Sequence, residues 1–128
     1  MPTTDPPAPP VTPPSLGSRG ESIAVAYLTD AGMQVLDRNW RCREGELDVV
    51  AREGDALVFC EVKTRRGTGF GHPVEAVTPA KRRRLRVLAQ RWLAAHDEHA
   101  PDVRFDVVGV LVHPTGPAVL THLRGAFQ

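Results

Sequence analysis

The stretch from Gly45 to Lys63 constrains this chain more than any other. Gly45-Glu46-Leu47-Asp48-Val49-Val50-Ala51 and Leu57-Val58-Phe59-Cys60-Glu61-Val62-Lys63 are rich in β-branched and aromatic residues and are split by Glu53-Gly54-Asp55-Ala56. Gly-Asp is a favoured two-residue hairpin loop, with glycine first as a type II′ turn requires. Taking Gly54 and Asp55 as the loop sets Asp48 across from Glu61 and Glu46 across from Lys63. Cross-strand partners have Cβ atoms roughly 4.5–5.5 Å apart, so Asp48 and Glu61 are expected to share one ion.

Strand alternation then sorts the hairpin into two faces. Leu47, Val49, Ala51, Val58, Cys60 and Val62 form an apolar face suited to a core. Glu46, Asp48, Val50, Leu57, Phe59, Glu61 and Lys63 form the other. A solvated face would not carry Val50, Leu57 and Phe59, and a core face would not carry three acids. The mixture predicts a half-covered polar pocket above a sheet, and carboxylates gathered there call for a cation.

With 128 residues, 41% hydrophobic and 24% charged, the chain fits one small α/β domain. The net charge is only +1, so a surface for nucleic acid has to be local. Lys63 and Lys81 are the only lysines among 16 basic residues. Where mere positive charge is needed this chain uses arginine, so a lysine beside two acids suggests a need for an amine. Two cysteines, one of them expected in the core, argue for reduced thiols rather than a disulfide framework. No apolar run approaches the ~18 residues of a membrane span, and the N-terminus lacks the layout of a signal peptide. These features together suggest a cytoplasmic protein.

Residues 1–16 read as a disordered, proline-rich tail, passive or bound by a proline-reading partner, and 17–128 as the domain. Ser18 and Glu21 have capping-box spacing for a first helix, whose apolar stripe is Ile23, Ala24, Tyr27, Leu28 and Ala31, with Gly32 ending it. Glu21 is therefore either a cap or a carboxylate delivered to the hairpin pocket. A strand over 33–40 precedes the hairpin strands, near 46–52 and 56–63. The loop after them holds Arg65, Arg66, Phe70-Gly71-His72-Pro73 and a histidine that either assists the site or is incidental. Thr78-Pro79 starts a second helix, to about His96, with Leu85, Leu88, Ala89, Trp92 and Leu93 facing inward. Lys81, Arg82, Arg83, Arg84 and Arg86 fall in its first turns, either a solvated face or a phosphate-backbone contact. Strands over 103–112 and 118–123 complete the order α-β-β-β-α-β-β, and Asp106 either joins the site or, as is usual for an acid near a strand start, is structural.

An acid on a helix, Asp48 on one strand, Glu61-Val62-Lys63 on the next and a basic helix after them resembles the PD-(D/E)xK nuclease superfamily. Gly45-Glu46-Leu47-Asp48, Phe59-Cys60-Glu61-Val62-Lys63-Thr64-Arg65 and Phe70-Gly71-His72-Pro73 are similar to the YraN-like family of predicted endonucleases, relatives of archaeal Holliday junction resolvases. The resemblance runs from about Gly17 to Leu123. It departs from the superfamily at Gly45-Glu46, which stands where a proline-led signature would begin.

The resemblance implies a restriction-endonuclease-like core, a mixed central β-sheet flanked by helices. It implies Asp48 and Glu61 as metal ligands, Lys63 as catalytic lysine and Glu21 as the matching helical acid. Glu46 is left as either a ligand or a supporting group. The expected activity is Mg²⁺- or Mn²⁺-dependent hydrolysis of DNA phosphodiesters leaving a 5′-phosphate, on branched or duplex DNA, by a homodimer. Arg65, Arg66, Lys81, Arg82, Arg83, Arg84 and Arg86 would bind the nucleic acid. The alternative is a non-catalytic nucleic-acid-binding or adaptor module on the same scaffold.

Overall fold

A computed structural model describes residues 15–67 and 77–127. The proline-rich stretch 1–14 and Phe70-Gly71-His72-Pro73 lie outside the described residues. The elements run α1 (Leu16–Asp30), β1 (Gln34–Cys42), β2 (Gly45–Glu53), β3 (Ala56–Arg66), α2 (Pro79–His96), β4 (Asp102–Val112) and β5 (Val119–Phe127). This is the expected α-β-β-β-α-β-β order. One five-stranded sheet holds them in sequence order β1-β2-β3-β4-β5. β3 and β4 pair in parallel and every other neighbouring pair is antiparallel. A parallel neighbour requires a crossover, and α2 supplies it.

The helices cover opposite faces. α1 contributes Ala24 and Leu28 to a core with Met33, Val49, Ala51, Cys60, Val108 and Val110. α2 sets Leu85, Leu88, Ala89 and Trp92 against Leu47, Val50, Leu57, Phe59 and Val107. Trp92 meets Phe59 edge to face at 5.8 Å, a favoured aromatic geometry. Both faces of the hairpin are thus cores, and its acids gather toward one end, where residues of both α1 and α2 approach them.

Helix ends follow local chemistry. Thr78 caps α2 as expected, its hydroxyl accepting from the Lys81 amide at 3.2 Å with Pro79 behind it. α1 ends as expected on Gly32, whose φ of +96° suits glycine. The Gly32 amide donates to Thr29 and the Met33 amide to Leu28, the paired bonds of a Schellman motif. The start of α1 corrects the sequence reading: the cap is Ser15, accepting from the Ser18 amide at 3.1 Å, and the helix begins at Leu16. Ser15 and Ser18 both present a hydroxyl three residues ahead of an amide, and spacing cannot separate them. Glu21 consequently lies inside the helix and has no capping role.

The hairpin turns at Gly54-Asp55, with φ of +58° at Gly54 alone, as a II′ turn requires. The expected register holds from Glu53↔Ala56 to Val49↔Cys60 and ends there. Leu47 belongs to the α2 core while Val49 belongs to the α1 core. Residues two apart share a face on a regular strand, so β2 changes face across Asp48. That corrects the expected side of Leu47, and it ends the direct ladder that would have set Asp48 opposite Glu61. Cys60 is buried in the α1 core as anticipated, and both cysteines are free thiols.

α1 approaches the sheet closely at buried Gly20, where a β-carbon would overlap the Thr64 side chain of β3. Gly20→Ala is expected to lower stability by about 1–3 kcal/mol, with Thr64→Ala in the same chain recovering only part of the loss because the residue 64 β-carbon would still lie 2.7 Å away, as read from thermal melts.

Candidate metal centre

Asp48 sits at the face change of β2, where its side chain does what the strand ladder no longer does. Its Oδ2 accepts the Val62 amide at 2.9 Å. This anchor ties β2 to β3 beyond the last backbone pair and fixes the carboxylate. Glu21 reaches the same place from α1, and Glu46 from the start of β2. One carboxylate oxygen of each lies within 4.8 Å of the others, close enough to hold one metal ion. All three residues are only partly buried, so the cluster is open to a ligand.

Glu61 stands beside this triad and acts on Asp48 electrostatically. Its Oε1 is 3.1 Å from the Lys63 ammonium, the two side chains sharing a strand face. It also lines a small open pocket with Glu46, Lys81, Arg84, Leu85 and Leu88. On α2, Lys81, Arg84, Leu85 and Leu88 occupy one helical stripe, which turns two cations toward the acids. Gly45 borders this stripe, a β-carbon there falling in ordinary contact with Arg84 Cδ at 3.5 Å, and its φ of +140° is what favours glycine.

Burial, then the charge of Glu61, drives the Asp48 carboxyl up from 3.8 to about 7; Glu21 and Glu46 add to the rise and the Val62 amide opposes it. Glu21 is also raised, first by burial and then by Glu46, against Asn39 and Arg38, which favour its charged form. Lys81 is held below the usual lysine range, first by its contact with Lys63 and then by burial. Asp48 and Glu21 therefore resist carrying charge beside their acidic neighbours, and a divalent cation relieves that repulsion. An all-oxygen donor set of this kind suits Mg²⁺ or Mn²⁺.

The structure thus brings Glu21, Asp48, Glu61 and Lys63 into one neighbourhood, and Glu46 joins the acids. The remaining basic residues separate. Lys81 and Arg84 face the pocket, while Arg82 lies over the Phe127 ring with its guanidinium 5.6 Å from the centroid. Arg83, Arg86, Arg65 and Arg66 are exposed. Asp106 belongs to a different structure: fully buried, it accepts from Arg104, His122 and the Gly125 amide. Sequence reasoning missed Asn39, whose φ of +51° falls where β1 faces Asp48 across the ladder, and Gly20, which lets α1 approach. Asparagine tolerates left-handed backbone, but nothing in a strand-like stretch marks where that conformation falls.

Fold and site define a class: a mixed α/β sheet flanked by helices, consistent with a nuclease-like core, with an acid cluster able to hold a cation. The model of the uncharacterised protein family UPF0102 matches residues 20–110. This chain belongs to that family, the YraN family named by its motifs. Relatives described as UPF0102 proteins include one from Streptomyces griseus, 58% identical over 112 residues, covering 87% of this chain and 94% of its own. One from Kineococcus radiotolerans is 59% identical over 112 residues, with 87% and 92% covered. One from Rhodococcus opacus is 53% identical over 113 residues, with 88% and 96% covered. No helix among the described residues is long and apolar enough to cross a membrane.

Proposed function

We propose that this protein is a metal-dependent endonuclease hydrolysing DNA phosphodiesters, with branched or junction DNA as the favoured substrate. The observation that supports this reading best is the convergence of Glu21, Glu46 and Asp48 within 4.8 Å, beside the Glu61–Lys63 pair. The three carboxylates would hold Mg²⁺ or Mn²⁺, with Glu61 completing the set from β3. A bound ion of this kind polarises a phosphate and acidifies water. Lys63 would orient the attacking water or neutralise charge developing on the phosphate oxygens. Lys81 and Arg84 stand across the pocket from the acids, where they would hold the phosphodiester backbone. Arg65 and Arg66 would extend that contact along the strand end, and a homodimer would offer two such sites to a junction.

The test is cleavage of branched and linear DNA by the purified protein with Mg²⁺ or Mn²⁺. Wild type is expected to cleave. Lys63→Ala is expected to lose about 10²–10³-fold in rate, as for loss of a group that stabilises transition-state charge. An inert wild type on a broad substrate panel, or variants that cleave equally well, would contradict the proposal.

A second reading is a non-cleaving nucleic-acid-binding or adaptor module. It is favoured by the engagement of Glu61 with Lys63 at 3.1 Å, which leaves Glu61 outside the three-acid cluster. Binding that weakens with salt and with Arg84→Ala, yet ignores divalent ions and Asp48→Asn, supports that reading over the enzyme.

A further inference from the structure

Arg41 stands on β1 directly across the ladder from Glu46, one of the three clustered acids. Its Nε donates to Glu46 Oε2 at 3.1 Å. Among the described residues it is the one arginine paired with an acid of the cluster, and Glu46 is its one partner. A guanidinium carries several N–H donors in a planar fork. The Nε contact uses one and leaves the terminal groups open, the side chain being 78% exposed. An ion pair this open adds little to stability. What it does is fix where a guanidinium lies: against a carboxylate of the cation site, with its remaining donors accessible to a ligand.

Strand alternation sets the side from which it comes. Trp40 and Cys42 both pack on the α2 core, so Arg41 between them turns the other way, toward the α1 side that also supplies Glu21. Lys81 and Arg84 approach Glu46 from α2 and line its pocket. Glu46 is therefore flanked by cations of two elements. Its carboxylate has two oxygens, so one can serve an ion while the other keeps Arg41. β2 carries an internal comparison at its far end. There Glu53 pairs with another exposed arginine, Arg124, roughly 23 Å along the strand from Glu46 and away from the clustered acids.

We propose that Arg41 is a phosphate-binding residue of the site: Glu46 holds its Nε, and its terminal N–H groups take a phosphate of the nucleic-acid strand on the side away from Lys81 and Arg84. The inference rests on the reading of the site as one that handles nucleic acid, and it adds a second flank to that site. The planar guanidinium fork meets two phosphate oxygens at once, which a lysine ammonium does not. The bound strand then passes between cations of β1 and α2, with the acids at its centre. Glu46 both faces the ion and aims Arg41.

Fluorescence anisotropy of labelled duplex and branched DNA over a range of NaCl concentrations tests this on the full chain, with Ca²⁺ as the oxygen-seeking divalent ion. The proteins compared are wild type, Arg41→Ala, Arg41→Lys and Arg124→Ala. Arg41→Ala is expected to bind both DNAs about 10-fold more weakly, with the slope of log affinity against log salt smaller by about 1. Its melting temperature is expected to stay at the wild-type value, since the pair is exposed. Arg41→Lys keeps the charge without the fork and is expected to remain weaker than wild type. Arg124→Ala is expected to bind as wild type does. Arg41→Ala that binds like wild type or melts lower, Arg41→Lys that restores affinity in full, or Arg124→Ala that weakens binding as much would each overturn the assignment while leaving the nucleic-acid reading intact. Wild type that binds neither DNA would instead remove that reading and the assignment with it.

Discussion

Asp48→Asn is expected to abolish divalent-cation binding and cleavage while making the metal-free protein more stable. Burial and the neighbouring carboxylates raise Asp48 from 3.8 to about 7 in the folded chain. Between those values the folded state keeps a proton that the unfolded chain releases, so this group's contribution to stability falls as pH rises from 3.8 to about 7. Above pH 7 the full penalty is present. Asparagine removes it and keeps an oxygen to accept the Val62 amide. At pH 8 without metal the variant is expected to gain about 1–3 kcal/mol, read as a higher Tm in a thermal melt. At pH 3 the gain disappears. For the same reason Mn²⁺ should raise the wild-type Tm more at pH 8 than at pH 5 and leave Asp48→Asn unmoved. A variant less stable than wild type at pH 8 would contradict this electrostatic account.

The second large effect belongs to a fully buried aspartate and has the opposite sign. Asp106 is fully buried and accepts from Arg104 at 2.8 and 3.0 Å, from His122 Nε2 at 2.8 Å and from the Gly125 amide at 3.0 Å. Burial pushes its carboxyl up, but these donors, Arg104 first, outweigh it and hold the group below the usual range. His122 passes the connection to Tyr27 of α1 at 2.9 Å, and Arg104 passes it to Glu53 at 3.0 Å. Asp106→Ala leaves the buried His122 ring without its acceptor and the Arg104 guanidinium with Glu53 alone, and is expected to cost about 3–5 kcal/mol by denaturant or thermal unfolding. A depressed carboxyl contributes stability above its unfolded pKa and loses it as pH falls through the folded value. Acid should therefore destabilise wild type more steeply than Asp106→Ala.

The contrast between these aspartates marks how far the sequence could be read. The Gly54-Asp55 turn, the Thr78-Pro79 start of α2 and the Gly32 end of α1 follow from backbone chemistry confined to a few residues, and each was legible. The element order followed from those signals and from strand periodicity. The site was legible as a set of residue types, Asp48 with Glu61-Val62-Lys63, and less so as geometry. Strict alternation put Leu47 beside Val49, whereas the Asp48 carboxylate takes the Val62 amide and the strand changes face there. A side chain that replaces a ladder bond leaves no trace in a period-two pattern. Nor does sequence separation reveal that Glu21 arrives because Gly20 sits against Thr64, or that Asn39 turns left-handed opposite Asp48. β5 runs on to Phe127, beyond its expected end at 123, since Phe127 pairs with Phe105 and stacks on it at 5.0 Å.

Diffraction from Mn²⁺-soaked crystals, recorded near the manganese absorption edge, tests the central claim most directly. An anomalous peak within coordination distance of Glu21, Glu46 and Asp48 oxygens, absent from Asp48→Asn crystals, is the predicted result. Manganese scattered over unrelated surface carboxylates, with none among these three, would contradict it.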